Sequence, residues 1–197
     1  MGLLNNLISS ALSGAVGANG AQGAAGLQNI PGLQNIPGLN KLANKLSGGS
    51  QTKTYTFQAI PRTLEEFKAL PEAVLTDEYA VAALSVIALT RFTQDRALSL
   101  SMLNFLKGPQ PLSNQEIQMI SDRFMDGKTY KVSSFFVGAT PANNYTPSRP
   151  FQIQVSSNPY SFQEENWATL YLGSGGADNP RPVRLRKKPS TGQWFLV

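Results

Sequence analysis

The sequence predicts an α+β domain, with a small helical cluster at about residues 63–126 followed by an antiparallel β-sheet or small barrel at about residues 130–197. Up to about residue 126, apolar residues recur at spacings of three and four between helix-capping residues. After that point, apolar and polar residues alternate in short runs separated by turn residues. Helices that precede strands in this way are typical of domains in which the helices cover one face of an antiparallel sheet.

Residues 1–50 differ in composition from the rest of the chain and predict a flexible, Gly-rich N-terminal arm. They contain no Asp or Glu, and the hexapeptide GLQNIP occurs twice, at 26–31 and 32–37. A proline at every sixth residue excludes a continuous helix. Residues 3–16 have apolar side chains at helical spacing and predict a short amphipathic helix. Three interpretations of that helix stay open: a partly ordered tail, a segment that docks on a partner, and a secretion signal. We expect a single α+β domain at 51–197.

Two capping patterns mark helix starts. Thr63 is followed three residues later by Glu66, which predicts a short helix that ends before Pro71. Ser113 and Glu116 repeat the pattern and predict an amphipathic helix that ends before residue 127.

The central helix of the core is predicted between these two. Thr76 or Asp77 begins it, and it extends to about residue 92. Its stretch 79–90 is uncharged and apolar on every side, so we expect it to be covered all round. A further helix at about 97–106 is predicted to end at Gly108, which a proline follows.

Five runs after residue 127 have the alternation and the turn residues of strands. They lie at 130–137, 151–155, 167–172, 183–186 and 194–197. The run at 53–61 also alternates, and is either a half-buried strand or an extended lead-in to the first helix.

The chain has no Cys and no His, which excludes several classes of chemistry. Without Cys there is no disulfide, no thiolate nucleophile and no zinc thiolate site, and a reduced, cytoplasmic setting fits best. Without His there is no Ser-His-acid arrangement and no imidazole base or metal ligand. We therefore expect no metal site and no cofactor, and no run reaches the ~20 apolar residues of a membrane span.

Positive charge is concentrated near the end of the sequence. The formal net charge is +5, and after residue 126 eight bases face three acids. In the densest run, 181–188, strand alternation places Arg184 and Arg186 on one face, opposite the apolar residues between them. With Arg181 and the aromatic residues Trp194, Tyr171 and Trp167, this strand is a candidate surface for phosphate groups, for bases or for an acidic protein. The structural alternative is a solvated edge strand that charge protects from aggregation.

Two long polar loops are the other candidates. The loop at 138–148 holds Asn143, Asn144 and Tyr145, and a glycine-rich loop near 173–180 holds Asp178. The second loop lacks the Lys-Ser/Thr ending and the following helix of a P-loop, so it predicts a wide turn. Loops as long as the first are either functional or held by their own hydrogen bonds, and both interpretations stay open.

These loops also carry a resemblance to a known family. Residues 138–148 read GATPANNYTPS, and residues 174–196 read SGGADNPRPVRLRKKPSTGQWFL. Through these motifs the stretch from about 63 to 197 resembles an uncharacterised bacterial family, a domain of unknown function. The resemblance implies a compact, bacterial, cytoplasmic domain, and it supplies no activity, cofactor or catalytic residue.

The sequence supports three functional hypotheses. The first is a non-catalytic binding or interaction module with an unknown protein partner, whose recognition surface is the loop at 138–148 together with the basic strand. The second is a small His-independent hydrolase, which would need a deep pocket with Asp, Glu or Lys groups of shifted pKa. Its candidate groups are carboxylates such as Glu164 and Glu165, or a Ser/Lys pair such as Ser190 with Lys187 or Lys188. The third, less favoured, is nucleic-acid binding through the basic C-terminal strand.

Overall fold

A computed structural model describes residues 50–125 and 128–197. Within them, the helices are α1 (Leu64–Lys68), α2 (Glu78–Thr90), α3 (Arg96–Lys107), α4 (Asn114–Arg123) and α5 (Tyr130–Ser133), with short 3-10 helices at Pro71–Val74 and Pro141–Asn143. The strands are β1 (Thr52–Phe57), β2 (Phe151–Ser156), β3 (Trp167–Leu172), β4 (Arg181–Lys187) and β5 (Trp194–Leu196). The N-terminal arm, with its predicted amphipathic helix and its repeat, lies outside the described residues.

The predicted helix starts are confirmed by the hydrogen bonds of their caps. The Thr63 hydroxyl accepts from the backbone N–H of Glu66 at 3.1 Å and begins α1. Ser113 and Glu116 form the reciprocal capping box at the start of α4. Asp77 accepts from the backbone N–H of Tyr79 at 3.0 Å and begins α2. These caps each satisfy backbone donors that the first turn of a helix leaves free.

Helix α2 lies at the centre of the core, as its uncharged composition predicts. Ten consecutive residues, 79–88, are buried, and the helix contacts all five strands. Ile153, Leu170 and Leu185, from three different strands, are completely buried within the same cluster. Burial of one such side chain contributes about 1.5–3 kcal/mol. A single core therefore joins the helices to the sheet.

The sheet is antiparallel throughout, has the strand order β1-β2-β3-β4-β5, and curls into an open half-barrel. Strand β1 pairs along its whole length with β2, from Thr52 opposite Ser156 to Phe57 opposite Phe151. The run at 52–57 is thus a strand of the sheet rather than a lead-in. The strand interpretation of this run is confirmed, and the sheet therefore includes one strand that precedes the helices.

The prediction of a strand at 130–137 is wrong. Residues Tyr130–Ser133 form α5, and only Phe136 makes a bridge, to Ile153. Val132 and Phe136 are both buried and are four residues apart, which is the spacing of one helical face. In a run this short, the positions of the apolar residues are compatible with the period of a helix and with that of a strand. Periodicity therefore could not distinguish a helix from a strand here.

Strands β2 and β3 diverge, and the segment after α5 fills the space between them. The two strands pair only at Val155 with Leu172 and at Ser156 with Tyr171. The backbone N–H of Val137 donates to the carbonyl of Gln152 at 2.8 Å. On the other side, the carbonyl of Ser134 accepts from the N–H of Gly175 at 2.8 Å. This segment brings the two polar loops together.

Candidate functional site

The loops at 138–148 and 173–180 pack directly against each other. A β-carbon on Gly175 would lie 1.8 Å from the backbone oxygen of Ala139. A β-carbon on Gly176 would lie 2.6 Å from the ring of Pro141 and 3.3 Å from the hydroxyl of Tyr145. Only glycine lets the two backbones approach this closely. Two of the glycines that resemble a phosphate loop, Gly175 and Gly176, are therefore packing positions between two turns.

The side chain of Asn143 holds the first of these loops. Its Oδ1 accepts from the backbone N–H groups of Thr140 and Thr146, at 2.9 and 3.2 Å. Its Nδ2 donates to the carbonyls of Gly138 and Thr146, at 2.7 and 3.2 Å. An amide offers two donor hydrogens and an oxygen with two lone pairs, and all are engaged here. Asn143 is therefore a residue that shapes the loop.

The next two residues adopt the left-handed conformation, with φ of 53° at Asn144 and 55° at Tyr145. The ring of Tyr145 stacks on that of Tyr130, with centroids 4.8 Å apart. The side chain of Asn144 is exposed at the rim of a cleft. Of the two interpretations of this loop, the structure supports a loop held by its own hydrogen bonds.

The basic strand lies on a different surface. Side chains of β1 to β4 that point away from α2 form what we call the outer face, and the strand register places them opposite one another. The outer face consists of Thr52, Thr54, Thr56, Gln152, Gln154, Ser156, Trp167, Thr169, Tyr171, Pro182, Arg184 and Arg186. It contains hydroxyl, amide, aromatic and guanidinium groups and no carboxylate. Its members on β1 and β4 are exposed.

Trp167 lies between the two arginines of this face. It is paired with Arg186 on the neighbouring strand, and Arg184 is opposite Thr169. The guanidinium carbon of Arg184 lies 5.0 Å from the centroid of the indole, and that of Arg186 lies 5.5 Å from it. Neither arginine makes an ion pair or a side-chain hydrogen bond within the described part of the chain. A guanidinium that lies over an aromatic ring in this way can still donate N–H groups to a carboxylate or a phosphate.

The structure separates the other residues that the sequence singled out. Trp194 is only 7% exposed and lies on the inner side of the sheet, so it belongs to the core and not to the basic surface. Arg181 and Asp178 are exposed near the turn between β3 and β4. Trp167, which the sequence suggested together with Trp194 and Tyr171, is the aromatic residue that lies over both arginines of the basic surface. The sequence already indicates this position, because strict alternation from the buried Leu170 places Trp167 on the outward side of β3.

A second group of charged side chains stabilises the start of α2. Asp77 accepts from the Lys53 ammonium at 3.0 Å and from the Tyr55 hydroxyl at 2.8 Å. Burial raises the pKa of Tyr55, and its hydrogen bond to Asp77 raises that pKa further. Burial alone would raise the pKa of Asp77, but hydrogen bonds from Tyr55 and Lys53 outweigh it, and the pKa is lowered. The carboxylate of Asp77 therefore caps α2, and its hydrogen bonds with Tyr55 and Lys53 link the helix to β1.

Two recesses of the described residues give no support to the hydrolase hypothesis. Neither holds Asp, Glu or Lys among its described lining residues. Ser190, Glu164 and Glu165 are exposed, and the Lys187 ammonium lies 5.6 Å from the centroid of the Trp194 ring. No cluster of potential metal-binding carboxylates occurs in residues 50–125 and 128–197. Nor does any helix of that part have the length and apolarity to cross a membrane.

Fold and surface together define a small α+β domain with a buried central helix and an open, basic sheet face. The chain belongs to the family described as "Domain of unknown function (DUF6935)", whose model matches residues 59–197. The expected resemblance to an uncharacterised domain family over about 63–197 is thus confirmed. No curated protein and no solved structure matches the chain. The family match begins two residues after β1 ends, although β1 contributes the buried Phe57 to the core.

Proposed function

We propose that this protein is a non-catalytic binding module of a bacterial cytoplasmic protein, and that its outer face binds an acidic segment of a partner protein. The observation that carries the proposal is the position of Arg184 and Arg186 over Trp167 on an exposed face that has no carboxylate. The cation–π contacts with Trp167 restrict the two guanidinium groups before any partner arrives, which lowers the entropy lost on binding.

The spacing of the arginines indicates the form of the partner. They are two residues apart on one strand, so their side chains leave the strand about 6.8 Å apart. An extended segment with Asp or Glu at every second position has the same spacing on one side. Such a segment can offer one carboxylate to each guanidinium. The hydroxyl and amide groups of the outer face can bind its backbone.

A protein partner suits this face better than a nucleic acid does. Proteins that bind single strands use aromatic rings on which bases stack. Here, two guanidinium groups already lie over the Trp167 ring. Of the other two aromatic residues that the sequence suggested for stacking, Trp194 is in the core and Tyr171 is half-buried on the outer face.

The test is a calorimetric titration of the full chain with a peptide that has Glu at every second position, and with a single-stranded thymidine oligonucleotide. We expect saturable peptide binding that Arg184→Gln/Arg186→Gln weakens about tenfold or more, since each lost charge-assisted pair contributes over 1 kcal/mol. The matched control, Arg62→Gln/Arg149→Gln, removes the same charge outside the outer face and should leave the affinity unchanged. Equal weakening in both variants, or preferred binding of the oligonucleotide, would contradict the proposal.

A further inference from the structure

Three arginines from separate parts of the chain line one recess at the C-terminal end of α2. Arg62 lies between β1 and α1, Arg91 follows the last residue of α2, and Arg149 precedes β2. The recess has a volume of about 200 Å³ and is completed by Ala59, Ile60 and Phe151. None of its described lining residues is acidic.

Arg91 is fixed in place by the backbone around the recess. Its Nε donates to the carbonyl of Pro61 and its Nη2 to the carbonyl of Ile60, both at 2.7 Å. Its Nη1 donates to the side chain of Gln94 at 2.9 Å. A guanidinium has five N–H groups, so two remain for a ligand. The positive charge of Arg91 is therefore held rigidly at this position.

Arg62 and Arg149 have no carboxylate partner within the described part of the chain. The guanidinium of Arg149 lies over the ring of Phe151, 5.3 Å from its centroid. The Arg62 backbone N–H donates to Glu66, which does not line the recess. Both side chains are exposed and can turn toward a bound anion.

Charge and size together indicate the ligand. Three like charges around one small recess repel one another unless an anion lies between them. A dianion offsets them better than a single carboxylate does. The recess is also smaller than the roughly 300–1,000 Å³ of ordinary ligand pockets, so it suits one compact group. Phosphate meets both conditions, and Arg binds it through paired hydrogen bonds.

A cleft of about 370 Å³ adjoins the recess and shares Ile60 and Phe151 with it. Its described lining is uncharged: hydroxyl and amide groups make up more of its surface than the apolar side chains of Leu89, Phe124 and Phe136. Asn144, from the loop at 138–148, lies at its rim. We propose that the recess binds the phosphate of a small phosphomonoester and that the cleft holds the uncharged body of the same ligand. This site is separate from the outer face and does not depend on its function.

The test titrates the full chain, in chloride buffer, with inorganic phosphate and with phenyl phosphate. We expect both to bind, and phenyl phosphate to bind several-fold more tightly because its ring enters the cleft. Arg62→Gln/Arg149→Gln should weaken both by at least about tenfold, since two charge-assisted contacts are lost. Lys68→Gln/Lys188→Gln, which removes the same charge at exposed positions outside both the recess and the outer face, should bind both as the wild type does.

Each contrary result has a distinct meaning. Unchanged phosphate binding in Arg62→Gln/Arg149→Gln would overturn the site. Equal affinities for inorganic and phenyl phosphate would overturn the role of the cleft. If replacement of Arg149 disturbs the fold, Arg62→Gln alone serves as the test variant. The Arg62 side chain makes no hydrogen bond in the described structure, so its replacement breaks none. Because peptide binding at the outer face is measured separately, failure at one site does not affect the conclusion at the other.

Discussion

The backbone of Gly175 lies against the carbonyl oxygen of Ala139, at a distance that leaves no room for a side chain on residue 175. The contact joins the two loops that carry the most distinctive motifs of the sequence. Its φ does not lie in the left-handed region, so the need for glycine there comes from space alone.

Gly175→Ala should therefore destabilise the domain by about 1–3 kcal/mol, the usual cost of overpacking, because the loops must separate. Gly173 is the matched control in the same loop, since a β-carbon there meets nothing within 4 Å. Gly173→Ala should be neutral or slightly stabilising. Urea unfolding measures both variants, and equal stabilities would show that the loops are not packed as described.

Asn143→Ala should destabilise the domain by about 1–2 kcal/mol, because it removes four hydrogen bonds to an exposed loop. Asn144→Gly provides the comparison in the next residue. Glycine accepts the left-handed conformation of that position without steric cost, so this variant should retain wild-type stability within about 0.5–1 kcal/mol. Thermal melts that rank Asn143→Ala as the more stable variant would refute the role of Asn143.

Trp167→Leu should weaken binding of the acidic peptide although it removes no charge. The indole holds both guanidinium groups, and each exposed contact of this kind contributes about 0.5–1 kcal/mol. We expect a loss of affinity of roughly three- to tenfold by calorimetry, with less effect on the salt dependence than Arg184→Gln/Arg186→Gln has. An unchanged affinity would mean that Trp167 does not position the arginines.

The contact between Lys107 and Glu116 predicts a pH effect on stability. The hydrogen bond that Glu116 accepts from Lys107 is the largest cause of a lowered pKa, and hydrogen bonds from Ser113 add to it. The pKa of Glu116 falls from 4.5 to about 2 in the folded protein. Because the folded pKa is lowered, the stabilisation is present above pH 4.5 and is lost as the pH falls toward 2. Glu116 is partly exposed, so the effect should stay below about 1 kcal/mol.

Glu116→Gln should therefore be less stable than the wild type at neutral pH, and the difference should shrink between pH 4.5 and 2. Glu65→Gln removes an exposed glutamate of α1 that forms no ion pair with a described residue, and serves as the control. Urea unfolding at a series of pH values measures the difference. A gap between Glu116→Gln and the wild type that does not change with pH would contradict the lowered pKa.

Local patterns in the sequence were enough to predict helices α1 to α4. A cap such as Ser113 with Glu116 is made by residues three apart, so it forms wherever the chain begins a helix. Helix α2 is apolar on every side, which likewise predicts that it is buried all round. The run at 130–137 was too short for its period to be assigned, and it forms a helix and a turn.

The candidate sites depend on contacts that no local pattern contains. The pairing of Trp167 with Arg186 follows from the register of two strands, which the sequence does not determine. The sequence therefore suggested Trp194, Tyr171 and Trp167 together, although Trp194 lies in the core. Arg62, Arg91 and Arg149 meet in one recess only after the sheet has closed around α2. The packing of one polar loop on the other explains the two long polar motifs. The spacing of residues along the sequence does not reveal this contact.

The position of the bound acidic peptide is the most direct test of the proposed function. The chain has two tryptophans, so a ¹⁵N correlation spectrum of the full protein contains two indole N–H signals from this chain. We predict that the signal of Trp167 shifts and saturates as the peptide is added, while the signal of the buried Trp194 stays in place. Saturable peptide binding with an unmoved Trp167 signal would show that the outer face is not the binding surface.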